Sequence, residues 1–187
     1  MNGILDAAVE VHRALQQARV QFCIIGGIAV QRWGQPRTTL DVDVTVMAEF
    51  GQEAPIIQTI VSLFDPRIAN AAQFAEQSRV LLLKTASGVG IDVSLGALPF
   101  EARMIERSSV WSIDLDRSLR TCSAEDLIIQ KVFAGRDEDW LDVRRIIERQ
   151  QATRLDVALI RVELQPLLQL KDDQDSAACL DKLLQEA

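Results

Sequence analysis

IIGGIAVQRWGQPRTTLDVDVTV, residues 24–46, decides how the chain is read. Its closing part, DVDVTVM over 41–47, alternates strictly between polar and apolar residues, the pattern of a half-buried strand. Side chains two apart on a strand point to the same side. Val42, Val44 and Val46 therefore share one face, and Asp41, Asp43 and Thr45 share the other. The valine face is core. At about 3.3 Å per residue the two aspartate Cα atoms lie roughly 6–7 Å apart, close enough for both carboxylates to reach one cation. Without a cation they repel each other, which is tolerable only if the site gains something by it.

A third acid has matching parity. In IDVSLG, residues 91–96, Ile91, Val93 and Leu95 form an apolar face, so Asp92 points the other way. If this strand lies beside the Asp41–Asp43 strand, three carboxylates meet over one sheet face. That donor set suits Mg²⁺ (or Mn²⁺), which uses few protein ligands and keeps water and substrate phosphate in its shell. Two such ions can serve an in-line phosphoryl displacement.

Gly26 and Gly27 follow the short apolar run QFCII, so a strand-then-turn is expected there. Glycine lets backbone approach a ligand closely, and a helix opening at Ile28 would aim free N–H groups at a triphosphate. The stretch is neither a Walker A loop, since no G-K-[ST] follows, nor G-x-G-x-x-G.

Composition narrows the chemistry further. A single histidine, His12, nearly excludes a His-ligated metal or a His-based triad. Cys23, Cys122 and Cys179 lie far apart with no C-x-x-C pair, as expected of reduced, mostly buried thiols. A net charge of −7 argues against a general nucleic-acid footprint. The arginines at 136, 144, 145 and 149 are expected to form a solvated helix face laced with acids rather than a basic patch. No apolar run is long enough to span a membrane, and the N-terminus lacks a signal pattern, so a cytoplasmic protein is expected.

The remaining periodicities predict a helix over 4–19, a short helix over IAVQRW and a helix over EAPIIQTIVSLF. RVLLLKT and IDVSLG are expected to form a hairpin or closely connected pair, and PFEARMIERS a helix with Pro99 near its start. SVWSIDL reads as a strand. From Ser123 onward the pattern is helical, with Ser123 as N-cap, Gly135 as a stop and Pro166 expected to kink or break a helix. The expected fold class is α+β: a core over 1–122 built on a mixed β-sheet flanked by helices, and a helical C-terminal region over 123–187 packed on it. Trp33 is expected in the core, and Asp139 and Asp142 as partners of Arg136 and Arg145.

Taken together, GGIAVQRWGQPRTTLDVDV resembles the nucleotidyltransferase fold, in the branch of AbiEii-type toxins and related minimal nucleotidyltransferases. SAEDLIIQKVFAGRDEDWLDVRRI, residues 123–146, is similar to that family's helical segment. The resemblance implies that Gly26 and Gly27 hold a triphosphate, that Asp41, Asp43 and Asp92 bind the metal, and that Lys131 faces the phosphates. Arg37 and Thr39 (or Thr38) also have a family look and are taken as nucleotide contacts. The implied activity is transfer of an NMP unit from an NTP to an acceptor hydroxyl. The toxin-like version implies a tRNA or protein acceptor and an antitoxin protein as partner. An antibiotic-type adenylyltransferase and a non-catalytic nucleotide- or partner-binding module are the alternatives. The Gly-Gly-Ile turn, which lacks a Ser or Thr hydroxyl, favours the last.

Overall fold

A computed structural model describes residues 3–151, 154–173 and 175–186. The chain divides into two compact units: Met1–Ile28 with Thr38–Cys122, and Ala29–Arg37 with Ser123–Ala187.

The first unit is built on a seven-stranded mixed sheet. Its strands are β1 (Phe22–Ile24), β2 (Asp41–Met47), β3 (Asp65–Pro66), β4 (Val80–Lys84), β5 (Gly90–Gly96), β6 (Ser109–Ser112) and β7 (Ser118–Thr121), in the order β3-β4-β5-β2-β1-β7-β6. β2 and β5 occupy the middle and run parallel, while β1 is antiparallel to β2 and β4 is antiparallel to β5. Val42, Val44 and Val46 from β2 and Ile91, Val93 and Leu95 from β5 are buried, so the predicted apolar face is core. Each such side chain contributes about 1.5–3 kcal/mol on burial. Helix α1 (Gly3–Gln17) adds Leu5, Val9, Val11 and Leu15 to the same core, and α3 (Glu53–Val61) adds Ile57 and Ile60.

Two further helices complete this unit. α4 (Ala71–Ser78) stops at Arg79, which takes a left-handed conformation at φ 58°. That turn aims the Arg79 guanidinium at the carbonyls of Leu95 (2.9 Å) and Ala48 (2.5 Å) and at Glu53 (2.5 Å), tying strand ends to α3. α5 (Pro99–Arg107) starts at Pro99 as predicted, with Glu101 accepting from the N–H groups of Ala97 and Leu98, both at 2.7 Å. Periodicity did not predict α4, β3 or β7. AAQFAEQS is small and polar, and β3 and β7 are too short to show alternation.

The second unit contains α6 (Ala124–Ala134), α7 (Asp137–Gln150), α8 (Val157–Lys171) and α9 (Asp175–Glu186). Ser123 caps α6 by accepting from the Asp126 N–H at 3.1 Å, and Gly135 ends it at φ 71°. α8 runs unbroken through Pro166. The proline lies on the exposed face, where water can replace the hydrogen bond lost from the carbonyl four residues back. Trp33 is half-buried beneath the Arg32 guanidinium, 4.1 Å from its ring centroid. Cys23 and Cys122 are buried free thiols and Cys179 an exposed one. No helix among the described residues is long and apolar enough to cross a membrane.

Candidate active site

Parallel pairing of β2 with β5 sets Asp43 directly opposite Asp92, with Asp41 opposite Gly90 and Thr45 opposite Ser94. Residues opposed in this way share a sheet face. The three carboxylates predicted from parity therefore stand on one face, all half-buried, with the valine and isoleucine side chains beneath them.

Glycine makes room for two of them. Helix α2 (Gly26–Trp33) begins at the first glycine, two residues earlier than the sequence suggested. Gly26 has φ +59°, and a Cβ there would overlap the Asp43 carboxylate. Gly27 gives way in the same manner to Thr39, whose Oγ1 would lie 2.5 Å from an added Cβ. On the other side, a Cβ at Gly90 would overlap the Asp41 carboxylate. Thr39 also bends back to donate to its own segment, from Oγ1 to the Asp41 carbonyl at 3.4 Å. Gly26 and Gly27 thus bring the start of α2, with its free N–H groups, against Asp43 and Thr39.

Arg67 stands among the acids. Its Nη2 pairs with Asp92, and its Nη1 lies 3.8 Å from Asp41. Nothing local in the sequence marks this residue: it follows a two-residue edge strand containing a proline, and only the β3–β4–β5 pairing carries it to the site. Asp41 and Asp92 are turned toward Arg67, while the Asp43 carboxylate lies over Gly26. Accordingly, no group of three or more His, Cys, Asp or Glu side chains among the described residues is gathered as a metal-binding cluster. The acids share a face without converging on one point. Their chemistry nevertheless fits a hard divalent ion, because all donors are carboxylate oxygens and two of them already embrace a cation.

Arg37 and Lys131 are engaged within the second unit. Arg37 makes a bidentate contact with Asp142, at 3.0 Å from Nε and 2.9 Å from Nη2. Lys131 is buried, with Nζ 2.7 Å from Asp139 and 2.9 Å from Asp142. Arg136 closes the network on Asp139 at 2.6 Å. Asp139 thus has the predicted arginine partner, and Asp142 is held by Arg37 and Lys131. Burial, the largest influence on both aspartates, pushes their pKa values up. The hydrogen bonds and charges of Arg136 and Lys131 on Asp139, and of Arg37 and Lys131 on Asp142, outweigh it and hold both below the usual 3.8. Arg144 lies 3.8 Å from Glu186, and Arg149 donates to the backbone carbonyls of Gln31 and Gly34. Arg136 and Arg144 thus meet acids, as the sequence suggested, whereas Arg149 is turned to backbone carbonyls.

The mixed sheet thus carries an acid pair on one strand, a third acid beside it and a Gly-Gly helix start against them. The chain belongs to the family described as "Nucleotidyl transferase of unknown function (DUF2204)", whose sequence profile matches residues 4–183. Among curated proteins none matches. Solved structures that share the fold include two of ANT(2'')-Ia. A solution structure of the antibiotic-resistance factor ANT(2'')-Ia is 12% identical, covering 93% of this chain and 96% of that one with a TM-score of 0.54. A crystal structure of ANT(2")-Ia in complex with adenylyl-2"-tobramycin is 16% identical, covering 89% and 98% respectively, also with a TM-score of 0.54.

Proposed function

We propose that this chain transfers a nucleoside monophosphate from an NTP to an acceptor hydroxyl, releasing pyrophosphate, with Mg²⁺ or Mn²⁺ held by Asp41, Asp43 and Asp92. The observation that carries the reading is the register of Asp43 against Asp92, with Asp41 on the same face and the Gly26–Gly27 helix start beside them. When bound, the divalent ion supplies positive charge to the phosphate oxygens. The chain's own groups then have separate tasks. The free N–H groups at the start of α2 receive phosphate oxygens. Asp92 either completes the ligands of the ion or takes the proton of the acceptor hydroxyl. A phosphate contact by Arg37 or Lys131 belongs to the same proposal; each is engaged by carboxylates of α7 in the second unit.

The acceptor is proposed on the toxin-like pattern, a tRNA or a protein, with an antitoxin protein as partner. A second reading takes a small cationic acceptor. It is supported by the complex of ANT(2")-Ia with adenylyl-2"-tobramycin and by the chain's pI near 4.8, which suits a polycation better than a polyanion.

Incubation with each α-labelled NTP, Mg²⁺ and, in turn, tRNA, cell extract or an aminoglycoside tests both, beside an Asp43→Ala control. Label moved by the native chain alone establishes transfer, and the receiving fraction names the acceptor class. Mg²⁺-dependent NTP binding without label transfer or pyrophosphate release in any mixture overturns the enzyme in favour of a binding module.

A further inference from the structure

We infer that Arg67 is a built-in counter-cation for Asp41 and Asp92, which a divalent ion must displace before it can enter the site. The inference rests on the carboxylate site proposed above. Sheet geometry places Arg67 there. The Arg67 N–H donates to the Leu82 carbonyl at 2.9 Å, Leu82 lies opposite Asp92, and Asp92 lies opposite Asp43. These four residues form one row across β3, β4, β5 and β2. With strands about 4.8 Å apart, Arg67 starts about 10 Å from β5, a span that the arginine and aspartate side chains together can bridge.

Two features argue for a displaceable cation rather than a structural tie. The side chains keep substantial exposure: 31% for Arg67, 45% for Asp41 and 40% for Asp92. Ion pairs so exposed add little to stability and cost little to break. Gly90 supplies the second feature. A Cβ at this position would overlap Asp41 and come within 3.0 Å of the Arg67 Nη1, so the strand leaves open the space where Arg67 and Asp41 meet. The guanidinium therefore offsets the repulsion between acids while no ion is bound, and its positive charge opposes any second cation that arrives. Entry of the ion frees a guanidinium fork that reaches β5, the strand next to Asp43, and such a fork binds phosphate oxygens well.

Binding of Mn²⁺ to the nucleotide-free protein tests the inference, followed by electron paramagnetic resonance for the native chain and for Arg67→Gln, Arg67→Lys and Asp92→Asn. The expected result is tighter Mn²⁺ binding by Arg67→Gln, on the order of tenfold, with Arg67→Lys near the native value because the charge is kept. Asp92→Asn should bind more weakly than the native chain. Unchanged or weaker binding by Arg67→Gln, with Asp92→Asn still impaired, overturns the role of Arg67 and leaves the metal site standing. No binding by any of the four proteins, or binding indifferent to Asp92→Asn, overturns the carboxylate site and the inference with it.

Discussion

The Asp43 carboxylate occupies the space where a side chain at residue 26 would begin, so Gly26 and Asp43 are sterically coupled. The positive φ of Gly26 adds a second reason for glycine there. Gly26→Ala is expected to lower stability by about 1–3 kcal/mol, since strain and overlap act together. In Gly26→Ala/Asp43→Ala the overlap with the carboxylate is removed and only the backbone strain and the Cβ contact remain. The combined loss should fall short of the sum of the two single losses in urea unfolding. Strict additivity would show that the two residues do not meet.

Asp43 itself separates function from folding. It is half-buried on the wet face of β2, and asparagine keeps its shape. Asp43→Asn is expected to reduce label transfer by about 10²-fold or more, because a charge intended for a cation is lost. Its unfolding free energy should stay within about 0.5 kcal/mol of the native chain. A large loss of stability with residual activity would assign Asp43 a structural role.

The buried network of the second unit should behave in the opposite way. Lys131 is 7% exposed and its partners Asp139 and Asp142 are 0% and 1% exposed. Lys131→Met leaves each buried carboxylate with a single arginine partner, Arg136 for Asp139 and Arg37 for Asp142, and is expected to cost about 1–3 kcal/mol. Arg161→Ala, which breaks an exposed pair with Asp181, should cost no more than about 1 kcal/mol. Acid should act on the same network. Both aspartates have folded pKa values below 3.8, so their stabilisation is complete above that value and is lost as pH falls through the lower folded values. Asp142→Asn should flatten the stability profile below about pH 4, measured by urea unfolding across that range.

What could be read from the sequence follows from how local each feature is. β2 and β5 declare themselves because alternation is a local signal, and their acids stand out because charge breaks an apolar pattern. Pairing of β2 with β5 is not a local signal, and the parallel register is what turns three separate acids into one face. Arg67 was invisible: its link to Asp92 spans 25 residues and depends on two intervening strand pairings. Gly26 and Gly27 stand out in the sequence as a place where backbone can approach a ligand, and the structure adds a second reason for glycine there, since added side chains would overlap Asp43 and Thr39. Lys131 and Arg37 can be picked out as cations, but their partners lie on α7, and contacts between separate segments leave no local trace.

His12 gives a second pH dependence that can be isolated, because it is the only histidine in the chain. It is buried on α1, its ring stands edge-on to Phe22, and its Nδ1 accepts from the Arg120 N–H at 3.0 Å. Burial lowers its pKa first, and the charges of Arg120 and Arg13 lower it further. The folded chain therefore keeps the ring neutral at pH values where the unfolded chain binds a proton. Stability is complete above the ordinary value of 6.5 and declines as pH falls from there through the folded value. His12→Asn retains an acceptor for the Arg120 N–H but cannot titrate. Urea unfolding between pH 7.5 and 5, a range set about the ordinary histidine value, should show a falling free energy for the native chain and a flatter line for His12→Asn. Equal slopes would place the titrating group elsewhere and leave His12 as a packing residue.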